Sequence, residues 1–197
     1  MEVVPEETTT STQYLGFYLG GEECGIGLLR VREILEYPVL TRVPTTPHWV
    51  RGVINLRGGV IPVIDLAVKF GLQDNAVSKQ TCVIIVEVDI EGERTVMGVV
   101  ADSVSQVIEL APSDIVSPPA FGTAVRVEYL LGLGKQGDRF ILLLDTDRVL
   151  SAAELMKMPT PEPEAVLDSV ARGEAEAGER EAADAAEPVG GSPEVQK

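Results

Sequence analysis

The chain has 197 residues, and 45% of them are hydrophobic, enough for one ordinary domain or two small ones with a real core. Only 5% are aromatic, so that core must be aliphatic and β-branched, which favours strands. The formal net charge of -15 repels phosphate backbones and anionic headgroups, which excludes general nucleic-acid binding and direct insertion at a membrane surface.

Residues 1–12, MEVVPEETTTST, form a polar, acidic arm. It shows no basic region followed by an apolar stretch, so no secretory leader is expected. Short apolar runs then alternate with Gly, Pro and Asp turns. They predict strands over 14–20, 23–28, 33–43, 53–56 and 60–65, with one helical turn at Pro47–Val50. Gly58-Gly59 reads as a tight hairpin turn, because glycine supplies the positive φ such turns need. Pro62 has no N–H to donate, so its strand should be an edge or be bulged there. Asp65 caps a short helix, LAVKF, that stops at Gly71. A second series of strands follows over 81–90, 94–101, 105–110, 126–133 and 139–145, and Asp145 caps TDRVL.

Ser151–Met158 reads as a short docking helix. From Pro159 the composition turns to Pro, Ala, Glu and Gly, and residues 151–197 carry 11 acidic against 4 basic side chains. Residues 159–197 therefore read as a disordered acidic tail. No apolar run approaches the roughly 20 residues that span a bilayer. Cys24 and Cys82 lie far apart in apolar runs and read as buried hydrophobes in a reducing compartment. With neither CxxC nor a histidine cluster, no metal or other cofactor is expected. The chain reads as cytoplasmic.

The middle zone contains a repeat. CGIGLLRVREIL (24–35) aligns without a gap with MGVVADSVSQVI (97–108), and RGVINLRGGVIPVIDLAVKF (51–70) with LGLGKQGDRFILLLDTDRVL (131–150). Two copies indicate a duplicated β-module rather than a solenoid. Five short strands per half would close a small barrel. The expected fold is all-β: two five-stranded barrels, approximately 13–72 and 80–150, interleaved at their ends, with short helices.

No catalytic constellation emerges. His48 is the single histidine and lies in TTPHWVRG with no Ser or Cys signature nearby. Asp65 and Asp145 are explained as caps. The RGG and LGLGKQGD stretches lack the Lys-Ser/Thr of a P-loop and the strand–helix setting of a dinucleotide site. That leaves Asn55 and Arg57 in the hairpin, and Glu33 in the apolar strand VREIL. If the barrels form, Glu33 and Arg57 could meet across neighbouring strands and present a guanidinium fork to a partner.

The stretch TRVPTTPHWVRGVINLRGGVIPVIDLAVKFGL (41–72) strongly resembles the CheW family of chemotaxis coupling proteins. It has the family's Val-Pro, a Gly-Val-x-Asn-Leu-Arg-Gly core, then Pro-Val-x-Asp-Leu and Phe-Gly. FYLGGEECGIGLLRVREIL (17–35), VMGVVADSVSQVIEL (96–110) and EYLLGLGKQGDRFILLLD (128–145) match in the same order, so the resemblance covers about residues 13–158. It implies two SH3-like barrels and a non-enzymatic adaptor linking chemoreceptor cytoplasmic tips to the regulatory domain of the histidine kinase CheA. The receptor-binding positions it implies are Val31, Glu33, Asn55 and Arg57, with Val104 and Val107. For kinase binding it points to the stretch around Leu40 and Val43. Cys24 stands where the family often has an aromatic. A scaffold in a non-motility chemosensory pathway would show the same motif. A fusion to a receiver domain is disfavoured by the lack of a βα repeat, and an enzyme by the lack of a catalytic pair.

Overall fold

The computed structural model describes residues 11–44, 46–119 and 123–150. Its strands are β1 (Thr12–Leu19), β2 (Glu22–Gly27), β3 (Val31–Glu36), β4 (Val50–Leu56), β5 (Gly59–Asp65), β6 (Cys82–Ile90), β7 (Glu93–Ala101), β8 (Ser103–Leu110), β9 (Ile115–Val116), β10 (Leu130–Gln136) and β11 (Arg139–Leu144). Two short helices, α1 (Leu66–Phe70) and α2 (Thr146–Val149), follow β5 and β11. Asp65 and Asp145 cap them by accepting from the backbone N–H of Val68 and Arg148, and Gly71 closes α1 in the left-handed conformation, as the sequence predicts.

The strands form two sheets, β3-β6-β7-β5-β4 and β8-β1-β2-β11-β10-β9. Each closes into an SH3-like barrel by the same device. In the first barrel the chain beyond β3 crosses to the far edge, where Thr41 exchanges backbone hydrogen bonds of 3.0 and 2.8 Å with Val53 of β4. In the second, β8 runs through the 3-10 turn Pro112–Asp114 into β9, which pairs with β10 on the opposite edge. Closure removes the unpaired edges that would otherwise template aggregation.

The repeat is real in three dimensions, but its halves exchange their first hairpins. The first barrel takes β3, β4 and β5 from the first half and β6–β7 from the second. The second barrel takes β1–β2 from the first half and β8–β11 from the second. A division at residues 72–80 therefore does not separate the barrels, and the interleaving reaches well beyond the ends. The cause is a matched pair of parallel contacts. Val63 of β5 pairs with Gly98 of β7, and its repeat mate Leu143 of β11 pairs with Gly25 of β2. A Cβ on Gly98 would lie 2.8 Å from the Val83 side chain, and one on Gly25 would lie 3.1 Å from that of Leu143.

Three cores result. Ile54, Ile61, Val63, Val83, Ile85 and Val100 fill the first barrel. Tyr14, Ile108, Leu110, Ile141 and Leu143 fill the second. The largest cluster, with Phe17, Cys24, Ile64, Cys82, Ile84 and Leu144 among its members, draws on strands of both barrels. β6 shows why its sequence is apolar without interruption. Val83 and Ile85 face the barrel interior while Ile84 and Val86 face the shared core, so both faces are buried. Both cysteines sit in that shared core, and burial, helped by Glu22 and Glu23, pushes the Cys24 thiol up to about 12.

Several local expectations need correction. The single strand over 33–43 is broken: β3 ends at Glu36, and Pro38, which cannot donate, releases the chain to cross the barrel. The strand over 126–133 starts later, because Val127–Tyr129 form a 3-10 turn before β10. β9 has only two residues, too few for alternation to reveal it. Pro47–Val50 is one turn closed by the Val50 N–H on the Pro47 carbonyl, not a helix. Pro62 lies in an interior strand, yet the β5–β7 ladder begins only at Val63, so the strand is locally an edge at the proline. The arm before residue 11, the docking helix at 151–158 and the tail at 159–197 lie outside the described residues.

Candidate functional site

β3 and β4 are opposite edges of the first sheet. Glu33 and Arg57 therefore meet across the mouth of the barrel, not across neighbouring strands: Arg57 Nη2 donates to Glu33 Oε2 at 3.1 Å. The Arg57 side chain is 79% exposed and that of Glu33 27%. An exposed pair contributes about 0–1 kcal/mol to stability, so its main effect is to orient a guanidinium that still points donors at solvent.

The hairpin that carries Arg57 turns one residue earlier than Gly58-Gly59 suggests. Positive φ falls on Arg57 (53°) and Gly58 (86°), and Gly59 already begins β5. Positive φ at both central residues is a type I′ turn, which matches the twist of the flanking strands. The Asn55 Oδ1 accepts from the Gly58 N–H at 3.0 Å and ties the turn together. A β-carbon residue at this φ carries local strain. Arg57→Asn is accordingly expected to stabilise the protein by up to about 1 kcal/mol, since Asn-Gly is the favoured dipeptide in this turn and only an exposed ion pair is lost. Thermal unfolding followed by circular dichroism checks this as a midpoint a few degrees higher.

Beside the pair a cleft of about 670 Å³ opens over the first barrel's core. Leu56, Val60, Ile61, Ile85 and Val96 supply its apolar lining, and Arg32 and Arg94 join Glu33 and Arg57 at its rim. Glu87 ties two of these cations together. It accepts from Arg32 Nε at 3.0 Å and lies 3.2 Å from Arg94 Nη1. Hydrogen bonding to Arg32, with the nearby charge of Arg94, holds the Glu87 carboxyl below its ordinary value.

The other predicted positions separate. Val31 pairs with Val86 and Val104 with Phe17, and both valines pack half-buried against the shared core. Val107 is 51% exposed on β8, in the other sheet from Arg57. Leu40 packs half-buried on the first barrel's core, and Val43 is half-buried with its carbonyl accepting from the Thr46 hydroxyl at 2.9 Å. The exposed apolar residue of that stretch is Val39, at 80%. Alternation from Thr41, whose backbone pairs with β4, gives Leu40 inward and Val39 outward, a signal present in the sequence once the bridge is known.

A second polar centre escaped sequence reasoning. Arg51 is the extra residue of a bulge in β4. Its Nε donates to Asp65 Oδ2 at 2.8 Å and its Nη2 to Asp74 Oδ1 at 2.6 Å. Burial works against the Arg51 charge, but the hydrogen bonds and proximity of Asp65 and Asp74 outweigh it and raise its pKa above the ordinary value. This centre pins the linker after α1, with help from Asn75 Nδ2, which donates to Asp102. Its ions are mutually satisfied, and Asp65 is only 4% exposed, so it is structural. His48 is exposed in the turn before β4. Among the described residues no cluster of His, Cys, Asp and Glu could hold a metal ion, and no helix is long and apolar enough to cross a membrane.

The family model for the CheW-like domain matches residues 13–154. The chain belongs to the CheW-like family. Among its relatives, "Chemotaxis protein CheW" of Klebsiella aerogenes is 40% identical over 164 residues, covering 83% of this chain and 91% of the relative. "Protein FrzA" of Myxococcus xanthus is 32% identical and covers 72% and 86%. The crystal structure of the scaffolding protein TtCheW from Thermoanaerobacter tengcongensis superposes with a TM-score of 0.67 at 29% identity, over 78% of this chain and 96% of that one. The resemblance seen in the VINLRGG hairpin thus extends over the whole CheW-like fold.

Proposed function

We propose that this CheW-like protein is a non-enzymatic chemotaxis adaptor that couples chemoreceptor cytoplasmic tips to the histidine kinase CheA. The observation that carries the reading is Arg57: an exposed guanidinium, held by Glu33 at the mouth of a barrel, beside an apolar cleft. That combination suits a protein partner that brings both apolar side chains and hydrogen-bond acceptors. Membership of the CheW-like family supports that partner class.

Glu33 and Arg57, in the turn that Asn55 closes, form the receptor-facing site, and Val31 on β3 with Val104 and Val107 on β8 form a further set of receptor contacts apart from that turn. The kinase's regulatory domain docks on the first barrel through the stretch around Leu40 and Val43, where Val39 offers the exposed contact. No step of this role needs catalysis or a cofactor. The protein works in the cytoplasm, recruited to receptor arrays at the inner membrane face.

Size-exclusion chromatography of the purified protein with a receptor cytoplasmic fragment and with the kinase, each singly and then together, tests the coupling. Co-elution of all three, with less kinase running with the receptor fragment when the adaptor is omitted, is the expected result. Association with neither partner rejects it.

A further inference from the structure

The four hairpins of the two barrels provide an internal comparison. The tips of β1–β2 and β10–β11, in the second barrel, carry glycine at the first central position: Gly20 (φ 56°) and Gly137 (φ 61°). The tips of β4–β5 and β6–β7, in the first barrel, carry Arg57 (φ 53°) and Glu91 (φ 54°) there. Gly137 is not followed by a second positive-φ residue, whereas Gly20, Arg57 and Glu91 are, by Gly21, Gly58 and Gly92, so these three turns make the same backbone demand. Glycine meets it without strain, and arginine does not. Gly20, in a turn with positive φ at both central residues like that of Arg57, shows the residue that meets the demand without strain.

Something must hold Arg57 in this conformation, and Asn55 is placed to do it. Its Oδ1 caps the Gly58 N–H at 3.0 Å, the donor immediately beyond Arg57. This side chain closes the turn from within, reaching the N–H three residues on. The repeat mate of Asn55 is Lys135, which has no acceptor to offer. The same lock recurs at the β6–β7 tip, where Asp89 Oδ1 accepts from the Gly92 N–H at 2.8 Å beside Glu91, so it accompanies both turns that carry a side chain in the left-handed position.

We infer that Asn55 is a positioning residue, which locks the 55–58 turn so that Arg57 keeps its left-handed backbone and its guanidinium stays at Glu33, and which does not itself touch the partner. This inference rests on the receptor-binding reading of Arg57 and deepens it. Backbone strain at Arg57 is retained because the same position must carry a guanidinium, and Asn55 offsets it.

The test is a double-mutant cycle on the full chain, read as affinity for a purified receptor cytoplasmic fragment. Arg57→Ala weakens binding by roughly tenfold or more, as truncation of an interface arginine does. Asn55→Ala weakens it by about fivefold, the worth of one hydrogen bond. Asn55→Asp, which keeps the acceptor, stays within about twofold of the parent. In the Arg57→Ala background, Asn55→Ala adds nothing. Amide hydrogen exchange in the free protein is the second readout: the Gly58 N–H loses protection in Asn55→Ala and keeps it in Asn55→Asp. Full binding by Arg57→Ala overturns the receptor reading and this inference with it. A strong Arg57→Ala effect, combined with an Asn55→Ala loss that persists in the double variant, means that Asn55 acts independently of Arg57 and overturns the inference alone. Unchanged Gly58 exchange in Asn55→Ala does the same.

Discussion

Gly52→Ala is expected to cost about 3 kcal/mol or more of folding stability, from backbone strain plus the loss of a pair of backbone hydrogen bonds. Gly52 sits at φ 147°, next to the bulge in β4 and under the strand that closes the first barrel. A Cβ there would lie 2.4 Å from the carbonyl oxygen of Thr41 and 2.9 Å from its carbonyl carbon. Neither atom belongs to a side chain that could rotate away. Thr41 is fixed by its two hydrogen bonds to Val53, so relief requires opening the barrel. The repeat mate, Gly132, is a graded comparison. A Cβ there would meet the Ile115 side chain at 2.6 Å but backbone only at 3.1 Å, and Gly132→Ala should cost less. Gly27→Ala, with only the Arg30 side chain 4.0 Å away, should change stability by less than about 1 kcal/mol. Urea unfolding of the three variants gives the order directly.

Asp65→Ala is expected to cost about 3 kcal/mol, and Asp145→Ala, at the equivalent cap, about 1 kcal/mol. Both aspartates accept from a backbone N–H of the helix they cap, at 3.0 and 3.2 Å. Both also donate their own backbone N–H to an aromatic residue's carbonyl, Trp49 and Tyr129 respectively. They differ in what the second oxygen meets. Asp65, itself buried, holds a half-buried Arg51, whereas Asp145 pairs with Arg148, whose side chain is 67% exposed. Removing Asp65 loses the cap and leaves Arg51 with Asp74 alone. Losing the exposed Arg148 pair adds little. Equal losses at the two positions, measured by the same unfolding experiment, would mean that the Arg51 centre does not contribute beyond the cap.

The contrast between these two caps also shows where the sequence was legible. Both were readable, because a cap is a local matter of one side chain and the third residue after it. What Asp65 does with its other oxygen was not, since Arg51 reaches it only because a bulge puts an extra residue in β4. The same bulge in β10 turns out Leu131 instead, which is 54% exposed. The repeat was legible through its glycines and aspartates. The hairpin exchange was not, because alternation fixes which face a residue takes and says nothing about which strand lies beside it. Gly25 and Gly98 appeared as repeat partners, but their pairing with β11 and β5 joins residues far apart in the chain. At the candidate site the meeting of Glu33 and Arg57 was foreseen from residue type, and its geometry was not. RGG offers two hairpin registers one residue apart, and only the three-dimensional turn shows that the arginine itself takes the left-handed position. The resemblance points to the stretch around Leu40, although inward packing of Leu40 leaves Val39 as the exposed neighbour.

The most direct test of the coupling role is the charge reversal Arg57→Glu, assayed for co-elution with the receptor fragment and with the kinase in parallel. The side chain is exposed and its pair with Glu33 is worth little to the fold, so the variant should unfold at nearly the parent's midpoint. Loss of the receptor fragment with the kinase still bound is the predicted result. Receptor binding at the parent's affinity by the folded variant would contradict the assignment of this turn to recognition.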